Sequence, residues 1–319
     1  MPQLLQSNIE KTILENYLEY QYIFVEFQSK FLTSLCSRHQ SIENGNLALY
    51  FAQQTHQNIL RKKDYDLNFD LSFEKFWDNQ SETIPSRIPM IKIGKDTSFP
   101  KETARRKILQ LIKLKILNKK NRNIGWMPSE ELKESYNLVI NEEIDGVSKL
   151  ISFICKKINI SISREEIIKE IKEKFSFYWF HYLESQLEYI KSWTSQVKDR
   201  ELILIFLQVI FLFISKAKNK NLSHKKLYDD PSLMKEFISS SISATSIADV
   251  TGIPRATCVR KLTYLVKLKI VSQDKISKRY YVIPDAISDN LILQKITGAV
   301  VKNFSRFFFI CLRIIVTRT

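Results

Sequence analysis

Two stretches of this chain are near copies of each other. "TSFPKETARRKILQLIKLKIL" (97–117) and "TGIPRATCVRKLTYLVKLKIV" (251–271) align without a gap and are identical at ten of 21 positions. Their offset of 154 residues is close to half of the 319-residue chain. Self-similarity at that distance means that one local structure is built twice, which constrains the architecture more than any other feature does.

The segments after the two copies match in kind. "NKKNRNIGWMPSEELKESY" and "SQDKISKRYYVIPDAISDN" each give a polar basic turn and a short apolar segment ending in Pro128 or Pro284. A helix start then comes at Ser129 or Asp285, both good N-cap types, and Glu130 and Glu131 suit a first turn. Upstream, "FVEFQSKFLTSL" (24–35) and "YWFHYLESQLEY" (178–189) stand at the same offset, both aromatic-rich and helix-periodic. The expected division is 1–160, with N-terminal helices and a compact unit over about 85–130, and 161–319, with helices, a unit over about 236–286 and a C-terminal helix. The first helix is expected to open on a Ser7/Glu10 capping box.

Within the second copy, "SATSIADVTGIP" reads as a short helix, Thr245 to Val250, ended by Gly252. A second helix begins after Pro254, from Arg255 to about Lys269. Cys258, Leu262 and Leu265 form its apolar stripe, and Ala104, Ile108 and Leu111 form that of the first copy. The opposite face carries Arg255, Thr257, Arg260, Lys261 and Tyr264, matched by Lys101, Thr103, Arg105, Arg106 and Gln110. The trailing "KILNKKNRNIGWM" and "KIVSQDKISKRYYVI" read as two-strand hairpins with basic tips: Lys119, Lys120 and Arg122 in one, Lys275, Lys278 and Arg279 in the other. The expected fold is therefore mainly α with small β wings, as an internally duplicated pseudo-dimer.

The segment "TSIADVTGIPRATCVRKLTYLVKLKIV" resembles the winged helix-turn-helix of bacterial transcription regulators of the MarR, Crp and GntR type. The resemblance covers about 40 residues in each half. It implies that the helix at 255–269 enters a DNA major groove and that Lys275, Lys278 and Arg279 reach phosphates. The first copy departs from the pattern at Ser98, where glycine would end the short helix.

Charge location agrees with that reading. The net charge of +15 is the sum of +8 in residues 97–122 and +7 in residues 251–279; the other 32 basic and 32 acidic residues cancel. A lysine excess spread by base composition has no reason to concentrate in two segments, whereas a polyanion-binding surface does. Arginine suits guanine edges through its fork, lysine suits phosphate, Thr103 and Thr257 suit phosphate near helix N-termini, and Gln110 and Tyr264 are candidate base contacts. The two helices differ at Lys101/Arg255, Arg105/Val259 and Gln110/Tyr264, so the expected operator is asymmetric.

Other chemistry is weakly represented. "GKDTS" (94–98) lacks the features of a phosphate-binding loop, and His39, His56, His181 and His224 are isolated. Asp64, Asp66 and Asp70 lack the glycine and terminal glutamate of a calcium loop, and no nucleophile–base pair is evident. The expectation is a protein that is not an enzyme and needs no cofactor or metal. Four scattered cysteines and an N-terminus without a signal-peptide pattern point to the cytoplasm. The most apolar run, "LILIFLQVIFLFIS" (202–215), spans roughly 21 Å as a helix, short of the roughly 30 Å hydrocarbon core, so no stable membrane insertion is expected. The expected partner is double-stranded DNA, with self-association and a small-molecule effector as open additions. Alternatives are a plasmid-type replication initiator with tandem winged domains, and a non-catalytic module binding protein or a membrane surface.

Overall fold

Helix-forming segments dominate the chain, and several of the helices open on capping serines. The computed structural model describes residues 4–83, 85, 87–219, 241–282 and 289–316, and within them the protein is mainly helical with two small two-stranded antiparallel sheets. The order is α1 Gln6–Glu15, α2 Tyr17–His39, α3 Ile42–Tyr65, α4 Phe76–Glu82, α5 Met90–Thr97, α6 Lys101–Lys113, β1 Leu117–Lys120 and β2 Asn123–Trp126. It continues with α7 Glu130–Lys157, α8 Arg164–Glu173, α9 Phe175–Val197, α10 Glu201–Asn219, α11 Ala244–Thr251, α12 Arg255–Lys267, β3 Val271–Gln273, β4 Tyr280–Val282 and α13 Leu291–Val316.

Short polar side chains satisfy the unpaired amides at helix starts. Ser41 accepts from the Asn44 amide on α3, and Ser243 from the Ser246 amide on α11. Ser163 and Glu166 form a reciprocal capping box on α8. Two expectations need correction. Helix α1 opens at Gln6, so Ser7 lies inside it and forms no Ser7/Glu10 box; the Asn8 and Ile9 amides bond instead to the Leu5 carbonyl. Ser129 occupies the N-cap of α7, but its hydroxyl makes no capping bond. Pro284 and Asp285 lie outside the described residues; α13 is capped by Asn290, whose side-chain oxygen accepts from the Ile292 and Leu293 amides.

The chain packs as two compact units, Met1–Ile9 with Arg38–Lys191 and Asn303–Thr319, and Glu10–Ser37 with Ser192–Lys302. The second unit takes most of α2 from the first half of the sequence, and the first unit takes α8, α9 as far as Lys191 and the end of α13 from the second half. In the first unit, α3 packs against α5, α6 and β2. Phe175, at the start of α9, stands edge-on to His56 and Phe76, 5.3 and 5.2 Å between ring centres. Trp126 of β2 and Tyr136 of α7 close this aromatic core at 5.0 Å, and the Gln80 amide donates to the Trp126 carbonyl at 2.8 Å. In the second unit, α10 packs against α11, α12 and β4. Helix α2 meets α10 through side chains: Gln208 donates to the Ser29 hydroxyl at 2.9 Å and Tyr22 stacks on Phe211.

Helices α2 and α9 are equal in length and correspond at an offset of 158, not the 154 of the later segments. At that register Tyr20 matches Tyr178, Glu26 matches Glu184 and Gln28 matches Gln186, so the aromatic stretches are displaced by four residues, one helical turn, from the expected alignment. The run 202–215 is the interior of α10, with Leu202 to Val209 buried. Among the described residues no helix is long and apolar enough to cross a membrane.

Candidate nucleic-acid interface

The two basic segments fold alike in detail. Helices α11 and α12 have the bounds of α5 and α6 displaced by 154. Thr97 and Thr251 each return a hydroxyl hydrogen bond to the carbonyl four residues back, Ile93 and Ile247, at 2.6 and 2.7 Å. The chain then turns through a left-handed residue, Ser98 (φ 56°) or Gly252 (φ 71°), so the serine changes the residue but not the turn. Pro100 and Pro254 sit at the N-caps of α6 and α12, where no amide hydrogen is needed. Both helices end through a left-handed lysine, Lys115 or Lys269, with the Ile116 and Ile270 amides bonding back to Leu111 and Leu265 at 3.0 Å.

A hairpin succeeds each helix. In the first, Leu117 pairs with Trp126 and Lys120 with Asn123, leaving a tip of Asn121 and Arg122. In the second, Val271 pairs with Val282 and Gln273 with Tyr280, around a longer tip at 274–279. Ile242, just before α11, exchanges two backbone hydrogen bonds with Tyr280 and widens this hairpin.

The apolar stripes fall where expected: Ala104, Ile108 and Leu111, and Cys258, Leu262 and Leu265, are all buried. Outward from α6 point Lys101, Arg105, Arg106 and Gln110, with Thr103 half-buried. Outward from α12 point Arg255, Arg260 and Tyr264, with Thr257 half-buried. Lys119, Lys120 and Arg122 on one hairpin, and Lys275, Lys278 and Arg279 on the other, are exposed. Arg105 pairs with Glu102 at 2.8 Å, and Arg255 donates to the Thr245 hydroxyl at 3.1 Å, which braces it against the preceding helix.

Lys261 is the correction. It is only 6% exposed and ion-pairs with Asp199 and, at 2.9 Å, with Glu201 in the first turn of α10. Rotated about 100° around the helix from Arg260, it points inward and fixes α12 to α10. Its counterpart Lys107 pairs at 3.7 Å with Glu43 in the first turn of α3. The two copies thus share an inward cation on the second helix, matched to an acid at the start of the helix beneath it.

Sequence reasoning passed over three outward residues. Lys113 and Lys267 project from the last turns of α6 and α12 at equivalent positions, and in the sequence they count only towards the charge total. Leu109 is 51% exposed on the outer face of α6, where α12 has Thr263. Beside α12, an open cleft of about 580 Å³ is lined by Asp199, Arg260, Lys261, Thr263, Tyr264 and Lys267.

The two acids inside the basic segments are both occupied locally. A hydrogen bond and the charge of Arg105 hold the Glu102 carboxyl below its usual range. The Ser277 hydroxyl and amide do the same to Asp274. Neither therefore stands as a bare anion against a polyanionic partner.

Of the residues weighed for other chemistry, Asp66 and Asp70 cap their own loop by accepting from the Asn68 and Ser72 amides. His39 lies 3.1 Å from the Tyr136 hydroxyl, His181 lies against Glu184, and His224 falls outside the described residues. Among the described residues no three histidine, cysteine or acidic side chains come together as a metal site would require. Comparison of the chain with protein-family models, with curated proteins and with solved structures finds no match.

Proposed function

We propose that the protein is a sequence-specific double-stranded DNA-binding transcription regulator, acting by binding and without a catalytic step. Its two basic segments are winged helix-turn-helix units derived by duplication, and α6 and α12 are their reading helices. The observation that carries this reading is the coincidence of charge and form. The whole net charge of +15 resides in two segments of one local structure, and their shared cations Arg106/Arg260 and Lys113/Lys267 face outward at equal positions. Phosphate-directed cations position a protein on duplex DNA, and differing side chains between them read bases. Here the differing pairs are Lys101/Arg255, Arg105/Val259 and Gln110/Tyr264, which predicts an operator with unlike half-sites.

The test is binding-site selection from random duplexes with purified protein, followed by titration over salt with the selected duplex. Replacing Arg106, Lys113, Arg260 and Lys267 together by alanine is expected to flatten the slope of log K against log salt by about 3 to 4, because each phosphate contact contributes about 0.9. Affinity at low salt is expected to fall by about a thousandfold, on the order of 1 kcal/mol for each of the cations removed. An unchanged slope in the folded variant refutes the assignment.

A further inference from the structure

We propose that the tip of the second hairpin is a DNA wedge: Ile276 enters the minor groove and unstacks one base step, which the first hairpin does not do. This rests on the DNA-binding reading above. Ile276 is 92% exposed. Single exposed apolar residues are ordinary on protein surfaces, so exposure alone carries nothing. Ile276 is set apart by the turn that presents it and by the charges around it.

The turn is held from within. The Asp274 amide donates to the Arg279 carbonyl at 2.9 Å, and the Lys278 amide to the Asp274 carbonyl at 3.0 Å. Asp274 accepts from both the amide and the hydroxyl of Ser277, each at 2.6 Å. Gln273 donates to the Lys278 carbonyl at 3.0 Å, and Lys278 takes the left-handed conformation that closes the loop. The result is a tip whose only carboxylate is engaged by Ser277 and whose isoleucine is left exposed. A tip fixed before binding loses little freedom when it inserts.

Lys275, Lys278 and Arg279 flank the isoleucine and are exposed. Cations draw such a tip to the phosphates that line a groove. Between those phosphates an apolar side chain gains most by sliding between base pairs, as wedge residues in minor-groove proteins do. The cost of partial unstacking is a few kcal/mol per step and is least at flexible pyrimidine–purine steps, so insertion adds sequence preference without a base hydrogen bond. The first hairpin presents Asn121 and Arg122 instead, a polar tip suited to reading groove width and charge.

The test uses the duplex selected by the wild-type protein, synthesised with 2-aminopurine at successive positions. Bound wild-type protein is expected to raise 2-aminopurine fluorescence severalfold at one or two adjacent positions, reporting lost stacking. Ile276→Ala is expected to abolish that rise while weakening binding by no more than about tenfold, the scale of one mismatched base pair. Ile276→Phe is expected to keep it. Binding without a fluorescence rise at any position, or a full rise with Ile276→Ala, overturns the wedge and leaves the DNA-binding reading standing. If the wild-type protein enriches no duplex at all, the DNA-binding reading falls and the wedge falls with it.

Discussion

The segments α5–β2 and α11–β4 share a backbone and differ on their surfaces. Inward positions agree: three small or branched apolar residues on each second helix, a threonine closing each first helix, and an inward lysine paired with an acid. Outward positions divide into two kinds. Arg106/Arg260, Lys113/Lys267 and Lys115/Lys269 are identical, whereas Arg105/Val259, Leu109/Thr263, Gln110/Tyr264 and the hairpin tips are not. Cations common to both copies suit a task common to both, holding phosphate. Surfaces that differ suit tasks that differ, which on the proposed DNA-binding role would mean unlike base sequences. Packing tolerates little change where side chains interlock, while the outer face is free to diverge.

The largest contrast between the surroundings of the two segments concerns protons. In the first unit, burial raises the Glu143 carboxyl to about 7, despite Arg38 at 3.6 Å, and burial lowers the His56 imidazole to about 3. The corresponding positions 154 residues later are Thr297 and Ile210, which do not titrate. The signs oppose each other. Glu143 has its folded value raised, so its contribution is full below about 4.5 and is lost as pH rises through about 7. His56 has its folded value lowered, so its contribution is full above about 6.5 and is lost as pH falls towards about 3. At about 1.4 kcal/mol per pH unit the window of Glu143 amounts to about 3 kcal/mol and that of His56 to about 5 kcal/mol, and between about 4.5 and 6.5 the two opposite slopes cancel. Denaturant unfolding of the wild-type first unit is therefore expected to vary little across that range. Glu143→Gln should uncover a loss on acidification and His56→Phe a gain, read as the slope of unfolding free energy against pH. Hydrogen exchange should show neither slope in the second unit. Equal slopes in both units would mean that these two groups do not set the response.

The paired lysines give the next contrast. Lys261→Met leaves Asp199 and Glu201 without their cation in a largely buried setting, and is expected to cost about 2 kcal/mol of stability. Lys107→Met leaves a single acid, Glu43, from a longer pair whose lysine is more exposed, and is expected to cost about 1 kcal/mol or less. Neither change should lower the salt slope of DNA binding, since neither lysine faces outward. A reduced slope with Lys261→Met would return that residue to the interface and break the division between inward and outward cations.

These residues also show what the sequence could disclose. The near-copy located the helices of both basic segments to within one or two residues, because helix periodicity, proline and the left-handed turn are local signals. It could not place Lys261, which stands at the border of the apolar stripe; its partners lie about 60 residues earlier, in a segment with no motif. A signal for Glu143 did exist, since it falls in register with Tyr136, Ile140 and Val147 on the buried face of α7. The exchange of α2 and α9 between units was not legible. Both helices are apolar over much of their circumference, and such a helix carries no mark of which core it will join. Their four-residue displacement was hidden for the same reason, since aromatic residues recur at helical spacing in either register.

The smallest contrast is the sharpest test of whether the two turns share one backbone. Ser98 and Gly252 both hold positive φ, which costs a residue with a side chain about 1 kcal/mol and glycine nothing. Glycine in turn loses more freedom on folding, by about 0.5 kcal/mol or more. Ser98→Gly is therefore expected to stabilise the first unit by about 0.5 kcal/mol, and Gly252→Ser to destabilise the second by a similar amount. A Cβ added at Gly252 meets no atom within 4 Å, so the second change carries backbone strain without a clash. Thermal unfolding of the two variants reads both shifts. If Ser98→Gly instead destabilises, the serine side chain holds its turn, and the first copy reached the same shape by a different balance of forces.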